Sequence, residues 1–244
     1  MKVKAFITAA GMGKRFGALT QKTNKCLLKV DGRPLISHIL DKLEAAGIRD
    51  TVVVTGYQSP LIDKCVGQRA QTVFNPFYRV SGILASFWAA RHSLEGRPFL
   101  FTTSDHFFHP AVLRDCLLAP SSDIRIVVQK KKRYTKEDAK VTIRGLNVLN
   151  IGKNIPVDEA QGEFGGMAYF SPRASSRFFK ELQLHFEKGA LGGYMMDLLT
   201  LIKQKYTMPI RYSVCSEDSR IEVDSVHDLV QARSLAKKFK RRRK

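Results

Sequence analysis

The sequence predicts an α/β protein, a Rossmann-like three-layer sandwich around a mostly parallel sheet with a small antiparallel insertion. Three observations predict it. Short apolar runs alternate with amphipathic segments along the first half, the order that builds parallel sheets covered on both faces. The first run ends in a glycine-rich, basic loop. The middle then changes to short apolar segments parted by charged or glycine-containing turns, as in an antiparallel excursion. A chain of 244 residues can bury a sizeable core as one domain.

The elements follow in order. Val3–Thr8 reads as a buried strand, Leu35–Ala46 as an amphipathic helix, Thr51–Thr55 as a strand, Pro60–Val66 as a helix and Thr72–Phe74 as a strand. Helix Ile83–Leu94, strand Phe99–Thr103 and helix Pro110–Leu118 continue the alternation. Trp88 falls at core spacing with Leu84 on the first of these helices, and is expected inside. Ile124–Gln129, Lys140–Ile143 and Val148–Ile151 are the short strands of the insertion. Strand Gly166–Phe170, helices Ala174–Phe186 and Tyr194–Tyr206, strand Ile210–Val214 and a helix from Val226 complete the chain. Ser225 with Asp228 three residues on is a capping box for that last helix. No linker divides the chain, so one domain is expected over residues 1–236, with a basic tail over 237–244.

Composition narrows the class. No apolar run approaches the roughly 20 residues of a membrane-spanning helix, and the chain opens on a strand without a signal-peptide pattern. Cys26, Cys65, Cys116 and Cys215 are scattered, with neither CxxC nor zinc spacing; four reduced thiols in the cytoplasm are expected. The net charge of +19 is concentrated partly in Lys130–Arg133 and in the tail, where seven of the last eight residues are basic. Such runs attract nucleic acid, anionic lipid or phosphates, or are solvated ends. No aromatic-interleaved groove accompanies them, so nucleic acid is not the expected partner.

The loop Ala9-Ala10-Gly11-Met12-Gly13-Lys14-Arg15-Phe16-Gly17 brings backbone N–H groups and cations together, which is what polyphosphate needs. It is not a P-loop, because Gly13-Lys14 is followed by Arg15 instead of Ser or Thr. It is not the dinucleotide fingerprint either: Phe16 takes the third glycine position, and Asp31 sits in a turn before a helix, not after the second strand. Two carboxylate positions complete the chemistry. Asp105 ends the apolar strand at Thr102-Thr103-Ser104-Asp105, where a carboxylate can hold Mg²⁺. Arg220–Asp224 alternates as a strand would, placing Glu222 and Asp224 on one face, and Ser225 caps the following helix, so that helix does not consume the Asp224 carboxylate.

Ala9–Gly17 followed by Asn24-Lys25-Cys26-Leu27-Leu28 resembles the opening signature of nucleotidyltransferases, with Asn24 where a proline is usual. Ile221-Glu222-Val223-Asp224 and its helix resemble their closing motif, and the likeness runs from Lys4 to Ala232. Asp138–Val141, Ile151–Asn154 and Gly162–Gly166 recur in that order in cytidylyltransferases acting on phosphocholine, 2-aminoethylphosphonate or inositol 1-phosphate. Ser104-Asp105-His106 and Gly82–Ser86 look most like the inositol branch. The phosphocholine branch usually carries paired asparagines at Ser81-Gly82 and an aromatic at Arg220, and a cation at Arg220 argues for an uncharged acceptor head group.

The resemblance implies a nucleotide-diphospho-sugar-transferase type of fold. It implies a nucleotide, CTP first and UTP or dTTP as alternatives, held by Ala9, Ala10, Gly11, Met12, Gly13, Lys14 and Ser86. Arg15 and Lys25 would be catalytic, Asp105 and Asp224 would bind Mg²⁺ with Glu222 a weaker addition, and Lys140, Lys153 and Arg220 would meet the acceptor. CDP-alcohols of this kind serve membrane-embedded transferases, so the tail would hold the enzyme near such a partner or an anionic membrane. The alternatives are a sugar-1-phosphate nucleotidyltransferase using UTP or dTTP and a non-catalytic nucleotide-binding regulatory subunit, and Lys25, Asp105 and Asp224 stand against the second.

Overall fold

The computed structural model describes residues 2–13, 23–118 and 122–241. Lys14, Arg15 and the last three tail residues lie outside them. The chain forms β1 (Lys4–Ala9), the small pair β2 (Lys29–Val30) and β3 (Arg33–Pro34), α1 (Leu35–Ala45), β4 (Thr51–Thr55), α2 (Ser59–Val66) and β5 (Gln71–Phe74). Next come α3 (Ile83–Ala89), α4 (Arg91–Leu94), β6 (Phe99–Thr103), β7 (His106–Phe108) and α5 (Pro110–Leu117). Strands β8 (Ile124–Lys130), β9 (Lys140–Arg144), β10 (Asn147–Gly152) and β11 (Gly162–Phe170) precede α6 (Pro172–Glu187) and α7 (Met195–Lys205). Strands β12 (Ile210–Ser216) and β13 (Arg220–Glu222) and helix α8 (Val226–Arg241) end it.

Among the described residues the main sheet has nine strands in the order β5-β4-β1-β6-β11-β8-β12-β10-β9. The four strands β5, β4, β1 and β6 pair in parallel. Strand β11, however, enters antiparallel between β6 and β8, and β9 and β10 are antiparallel to their neighbours. The sheet is therefore mixed, not mostly parallel. Strands β9 and β10 of the insertion stay at one edge of the sheet, while β8 and the following β11 enter its interior.

Alternation along the strands sends side chains into two clusters. Phe6, Val52, Val54 and Phe101 pack with Leu84 and Phe87 of α3, Phe178 and Phe179 of α6 and Leu199 of α7. Ala5, Ile7, Val53 and Leu100 pack with Ile39 and Leu43 of α1, Ile62 of α2 and Val112 of α5. Successive strand residues point to opposite faces, so helices cover both. Phe87 anchors the first cluster, with ring centroids 4.7 Å from Phe6, 5.0 Å from Phe101 and 4.8 Å from Phe178. Truncating such a residue to alanine costs about 3–5 kcal/mol.

Two expectations on the helices fail. The helix foreseen over Ile83–Leu94 breaks at Ala90 into α3 and α4. Trp88 is 37% exposed instead of core; it meets Phe186 edge-on and carries the Arg91 guanidinium over its ring. An indole tolerates this because its flat faces still find partners.

The domain–tail boundary at 236/237 is also crossed by structure. Helix α8 runs through it to Arg241. Phe239 is buried in a third cluster with Leu28, Val30 and Val223, stacked on Phe107 at 5.6 Å. Lys238 and Lys240 pair with Asp218 and Asp31. Residues 237–241 thus belong to the body. No helix of the described residues is long and apolar enough to cross a membrane.

Candidate active site

Strands β1, β4, β5 and β6 run in parallel, so their carboxyl ends deliver Gly11, Tyr57, Asn75 and Asp105 to one edge, where open α/β sheets bind ligands. The loop after β1 is held there from below. Asn24 is buried, and its Nδ2 lies 3.1 Å from Ala9 O, 3.0 Å from Gly11 O and 3.0 Å from Tyr57 O. Its Oδ1 accepts the Cys26 N–H at 3.0 Å. One amide therefore ties the glycine loop, the β4–α2 connection and the short 3₁₀ turn carrying Lys25 into a unit. Gly56 lets the connection approach this closely: a Cβ there would stand 2.8 Å from Ala10 O. Asn24, noted in the sequence only as a departure from proline, is a residue the motif reading undervalued.

Lys25 projects from this turn between two carboxylates. Its Nζ donates to Asp105 Oδ2 at 2.8 Å and also to Asp224 Oδ1. Asp105 follows β6, whereas Asp224 comes from the far end of the chain. It is delivered by β13, which pairs antiparallel with β7 (Glu222 opposite His106), and by the Val223 N–H bonded to Asp105 O at 2.9 Å. The capping box forms as expected, with Ser225 Oγ accepting the Asp228 N–H at 3.2 Å.

Charge is unevenly shared here. Burial works against the Lys25 ammonium, but Asp105 and Asp224 outweigh it and hold its pKa above the ordinary lysine value. Burial likewise opposes ionisation of Asp105, yet Lys25 keeps that carboxyl below the usual range. Asp224 goes the other way, raised by burial and by the neighbouring Glu222 charge despite Lys25. Glu222, although partly buried, is held low by His106 and Arg220. With Glu222 paired to Arg220, two carboxylates, Asp105 and Asp224, around one lysine leave a surplus of negative charge.

That surplus fits a hard cation. Asp105 Oδ1 is buried with no hydrogen-bond partner, an orphaned acceptor of the kind that a bound ion satisfies. Carboxylate oxygens from Asp105 and Asp224 are the donor set Mg²⁺ prefers. Ligand atoms of Asp105, His106 and Glu222 also lie within 4.8 Å of one another. His106 Nε2, though, already faces Arg220 at 2.8 Å, so the carboxylates are the better ligands. His106 itself lies under Gly166, whose φ of +64° is left-handed and where a Cβ would fall 1.8 Å from His106 Cε1.

Two cavities are lined by the partners of this ion pair, Lys25 and Asp105 in one and Asp224 in the other. One, of about 380 Å³, runs under the glycine loop and is lined by Ala10, Gly11, Gly13, Asn24, Lys25, Asn75, Ser86 and Asp105 among others. The other, of about 720 Å³, includes Asp224, Glu222, Arg220, Glu163 and Asp138. Ser86, Ala10, Gly11 and Gly13 line this smaller cavity; Ala9, the last residue of β1, and Met12 do not.

The lysines expected at the acceptor do not reach either cavity. Lys140 is 1% exposed, and its Nζ donates to the carbonyls of Thr135 and Lys136 at 3.2 Å and of Asp138 at 3.1 Å. A buried ammonium needs such partners, so its role here is to close the loop before β9. Lys153 pairs with Glu137 at 3.1 Å and leans on Tyr194. Arg220 does line the larger cavity. Its guanidinium, however, is engaged with Gln129, His106 Nε2 and Glu222 in a buried network.

Known proteins resemble this chain over different spans. A CMP-5'-(3-aminopropyl)phosphonate synthase of Streptomyces rubellomurinus is 32% identical over 125 residues, 49% of this chain but only 20% of that protein. A CTP:phosphoglutamine cytidylyltransferase of Campylobacter jejuni is 24% identical over 93% of this chain and 98% of its own length. The solved CTP:phosphocholine cytidylyltransferase of Streptococcus pneumoniae superposes with a TM-score of 0.79 at 20% identity, covering 97% of this chain and 100% of that one. That likeness gives the fold, that of nucleotide-diphospho-sugar transferases. A family model, the MobA-like NTP transferase domain, matches residues 5–191, and the chain belongs to that family.

Proposed function

We propose that the protein is a Mg²⁺-dependent nucleotidyltransferase that moves CMP from CTP onto a small phosphorylated or phosphonylated acceptor. The observation carrying this reading is Lys25 Nζ bonded to both Asp105, which lines the smaller cavity, and Asp224, which lines the larger. A nucleotide in the smaller cavity has its α-phosphate near Lys25. An acceptor oxygen approaching from the larger cavity attacks the α-phosphorus, its lone pair forming the new P–O bond as the α–β bridge breaks and pyrophosphate leaves with that electron pair. Mg²⁺ held by Asp105 and Asp224 would neutralise phosphate charge. The residues' own work is positioning and charge. Lys25 stabilises charge growing on the α-phosphoryl oxygens, Asn24 and the loop hold the triphosphate, and Arg15 and Lys14 are proposed for the leaving pyrophosphate.

For the acceptor, Arg220 no longer argues for an uncharged head group, because its charge is absorbed by Glu222 and the buried network. The larger cavity carries more carboxylates than cations: Asp138, Glu163, Glu217, Asp218, Glu222, Asp224 and Asp228 against Lys131, Arg220 and Lys238. An ammonium-bearing acceptor gains from that wall. This is the chemistry of the phosphoglutamine and aminopropylphosphonate in the relatives' names. Inositol 1-phosphate, favoured by the resemblance at Ser104-Asp105-His106, is the second reading. The test is pyrophosphate release with CTP, Mg²⁺ and a panel of 2-aminoethylphosphonate, phosphocholine, phosphoglutamine and inositol 1-phosphate. Turnover highest with an amine-bearing acceptor supports the first reading, and highest with inositol 1-phosphate the second. No release with CTP, UTP or dTTP and any acceptor overturns the transferase reading.

The basic tail is left without a membrane role. Phe239, Lys238 and Lys240 are committed to the body, so deleting residues 237–244 would test folding before it tested lipid binding.

A further inference from the structure

Asp224 is delivered by a support that is weak by itself. Strand β13 has three residues and pairs with the three of β7 in a two-stranded ladder outside the nine-stranded sheet. Such a ladder is marginal alone and needs a larger body to hold it. Gln129, in β8 of the main sheet, reaches across to it. The side chain is buried, 4% exposed, and it grips Arg220, the first residue of β13, twice. Its Nε2 donates to Arg220 O at 2.8 Å, and its Oε1 accepts from Arg220 Nη1. The same Nε2 lies 3.5 Å from Ser216 O, where β12 ends. One amide therefore spans the crossing from β12 to β13. Arg220 carries the grip further: its Nη2 is 2.8 Å from His106 Nε2 and 3.5 Å from Glu222 Oε2. A guanidinium only donates, so His106 Nε2 accepts. His106 and Glu222 face each other in the ladder; Asp105 immediately precedes the first, and Asp224 follows the second by two residues.

We propose that Gln129 is a positioning residue: acting through Arg220, it sets where Asp224 stands beside Asp105, and thereby how tightly the two carboxylates hold a divalent cation. The inference rests on reading this pair as the metal ligands. The two carboxylates differ in how they are placed. Asp105 comes almost directly from the end of β6, so the main sheet fixes it. Asp224 arrives across the β12–β13 turn and meets Lys25 only while the ladder keeps its register. A site of this kind tolerates displacements of only about 0.5 Å in its ligating groups. Losing an outer partner of a metal ligand typically weakens binding about 10–100-fold. An amide suits the role, because it donates to a carbonyl and accepts from a guanidinium at once, which neither a carboxylate nor an ammonium does.

The test is binding of Mn²⁺ alone to the whole chain, followed by the electron paramagnetic resonance signal of the free ion. Gln129→Met keeps the length and neutrality of the side chain and removes both bonds, so no charge changes near the carboxylates. Mn²⁺ affinity is expected to fall at least about tenfold. Pyrophosphate release should then need correspondingly more Mg²⁺ and recover as Mg²⁺ is raised, which a general loss of structure would not allow. Gln129→Asn, whose amide is one methylene short, is expected to lose affinity in the same direction, and it replaces Gln129→Met if melting temperatures show that the latter does not fold. Because Gln129 acts through Arg220, adding Gln129→Met to Arg220→Met should weaken Mn²⁺ binding no further. Wild-type affinity in the folded Gln129→Met variant, or in Gln129→Asn where only that folds, overturns the proposal. So do additive losses in the double variant, a rate deficit that no Mg²⁺ concentration repairs, and a wild type that binds no Mn²⁺. Mn²⁺ binding that depends on Gln129 without pyrophosphate release in any acceptor assay would leave the positioning role standing and sink group transfer instead.

Discussion

The cavity lined by Lys25 and Asp105 and the one lined by Asp224 are built in opposite ways. The smaller is made by the ends of parallel strands between residues 8 and 105, and its polar groups are largely backbone and neutral amides or hydroxyls. The larger is made of charged side chains from the antiparallel insertion, the β12–β13 turn and α8, spread over residues 129–238. A triphosphate is a constant ligand, and a short loop with fixed N–H groups suits it. An acceptor's head group is recognised by side chains, which can change without altering the sheet. The difference teaches where chemistry ends and specificity begins: Lys25, Asp105 and Asp224 are the seam.

The seam gives the largest expected effects. Asp105→Asn and Asp224→Asn should each drop Mg²⁺-dependent turnover to the assay floor, measured as pyrophosphate release. If both hold one ion, the double variant should be little worse than either single, since groups acting as a unit are strongly non-additive. Multiplying effects, or turnover without divalent metal, would separate the two carboxylates and break the seam.

Lys25→Ala comes next, with turnover lowered at least about 10²-fold, from an interaction worth roughly 3–4 kcal/mol in the transition state. The drop should appear in kcat more than in CTP affinity. A loss confined to affinity would make Lys25 part of the smaller cavity and not of the seam.

How much of this was readable follows from the same division. The parallel half was legible because each element is local: apolar runs of period two and helices of period 3.6 name themselves, and strands β4 and β6 fall on the expected residues. The glycine loop, Lys25, Asp105 and Asp224 were legible as motifs. Strand β7 was not, because His106–Phe108 is too short to show a period and exists only by pairing with β13. Nor was the entry of β11 into the sheet centre, since pairing partners are a non-local property. Lys140 was misread for a related reason: the sequence shows a lysine in a motif, but not the three carbonyls that surround it. Asn24 matters through the carbonyls of neighbouring segments, which no side-chain pattern encodes.

Asn24→Ala sharpens the comparison from the loop side. It strips Ala9 O, Gly11 O and Tyr57 O of a shared donor, and leaving such groups unpaired costs about 1–3 kcal/mol. CTP affinity should weaken about tenfold while relative rates across the acceptor panel stay the same, because nothing in the larger cavity touches Asn24. A changed acceptor preference would mean the two cavities are mechanically coupled through the Lys25 turn.

The smallest effect is expected at Lys153, and it tests the outer limit of the larger cavity. The motif resemblance puts this lysine at the acceptor, whereas its ammonium is bonded to the exposed Glu137 and rests near the Tyr194 ring. Exposed ion pairs of this kind contribute about 0–1 kcal/mol, because water and side-chain freedom compete with them. Neither partner lines the cavity that holds Asp224 and Glu163. Lys153→Ala should therefore leave kcat/KM for the best acceptor within about twofold, a difference well under 1 kcal/mol by the tenfold-per-1.4 relation. The measurement is a full acceptor titration at saturating CTP, repeated at high salt to strip any long-range attraction. A tenfold rise in the acceptor's KM with unchanged kcat would extend the acceptor site past β10 to Lys153, and the larger cavity would then be only its inner part.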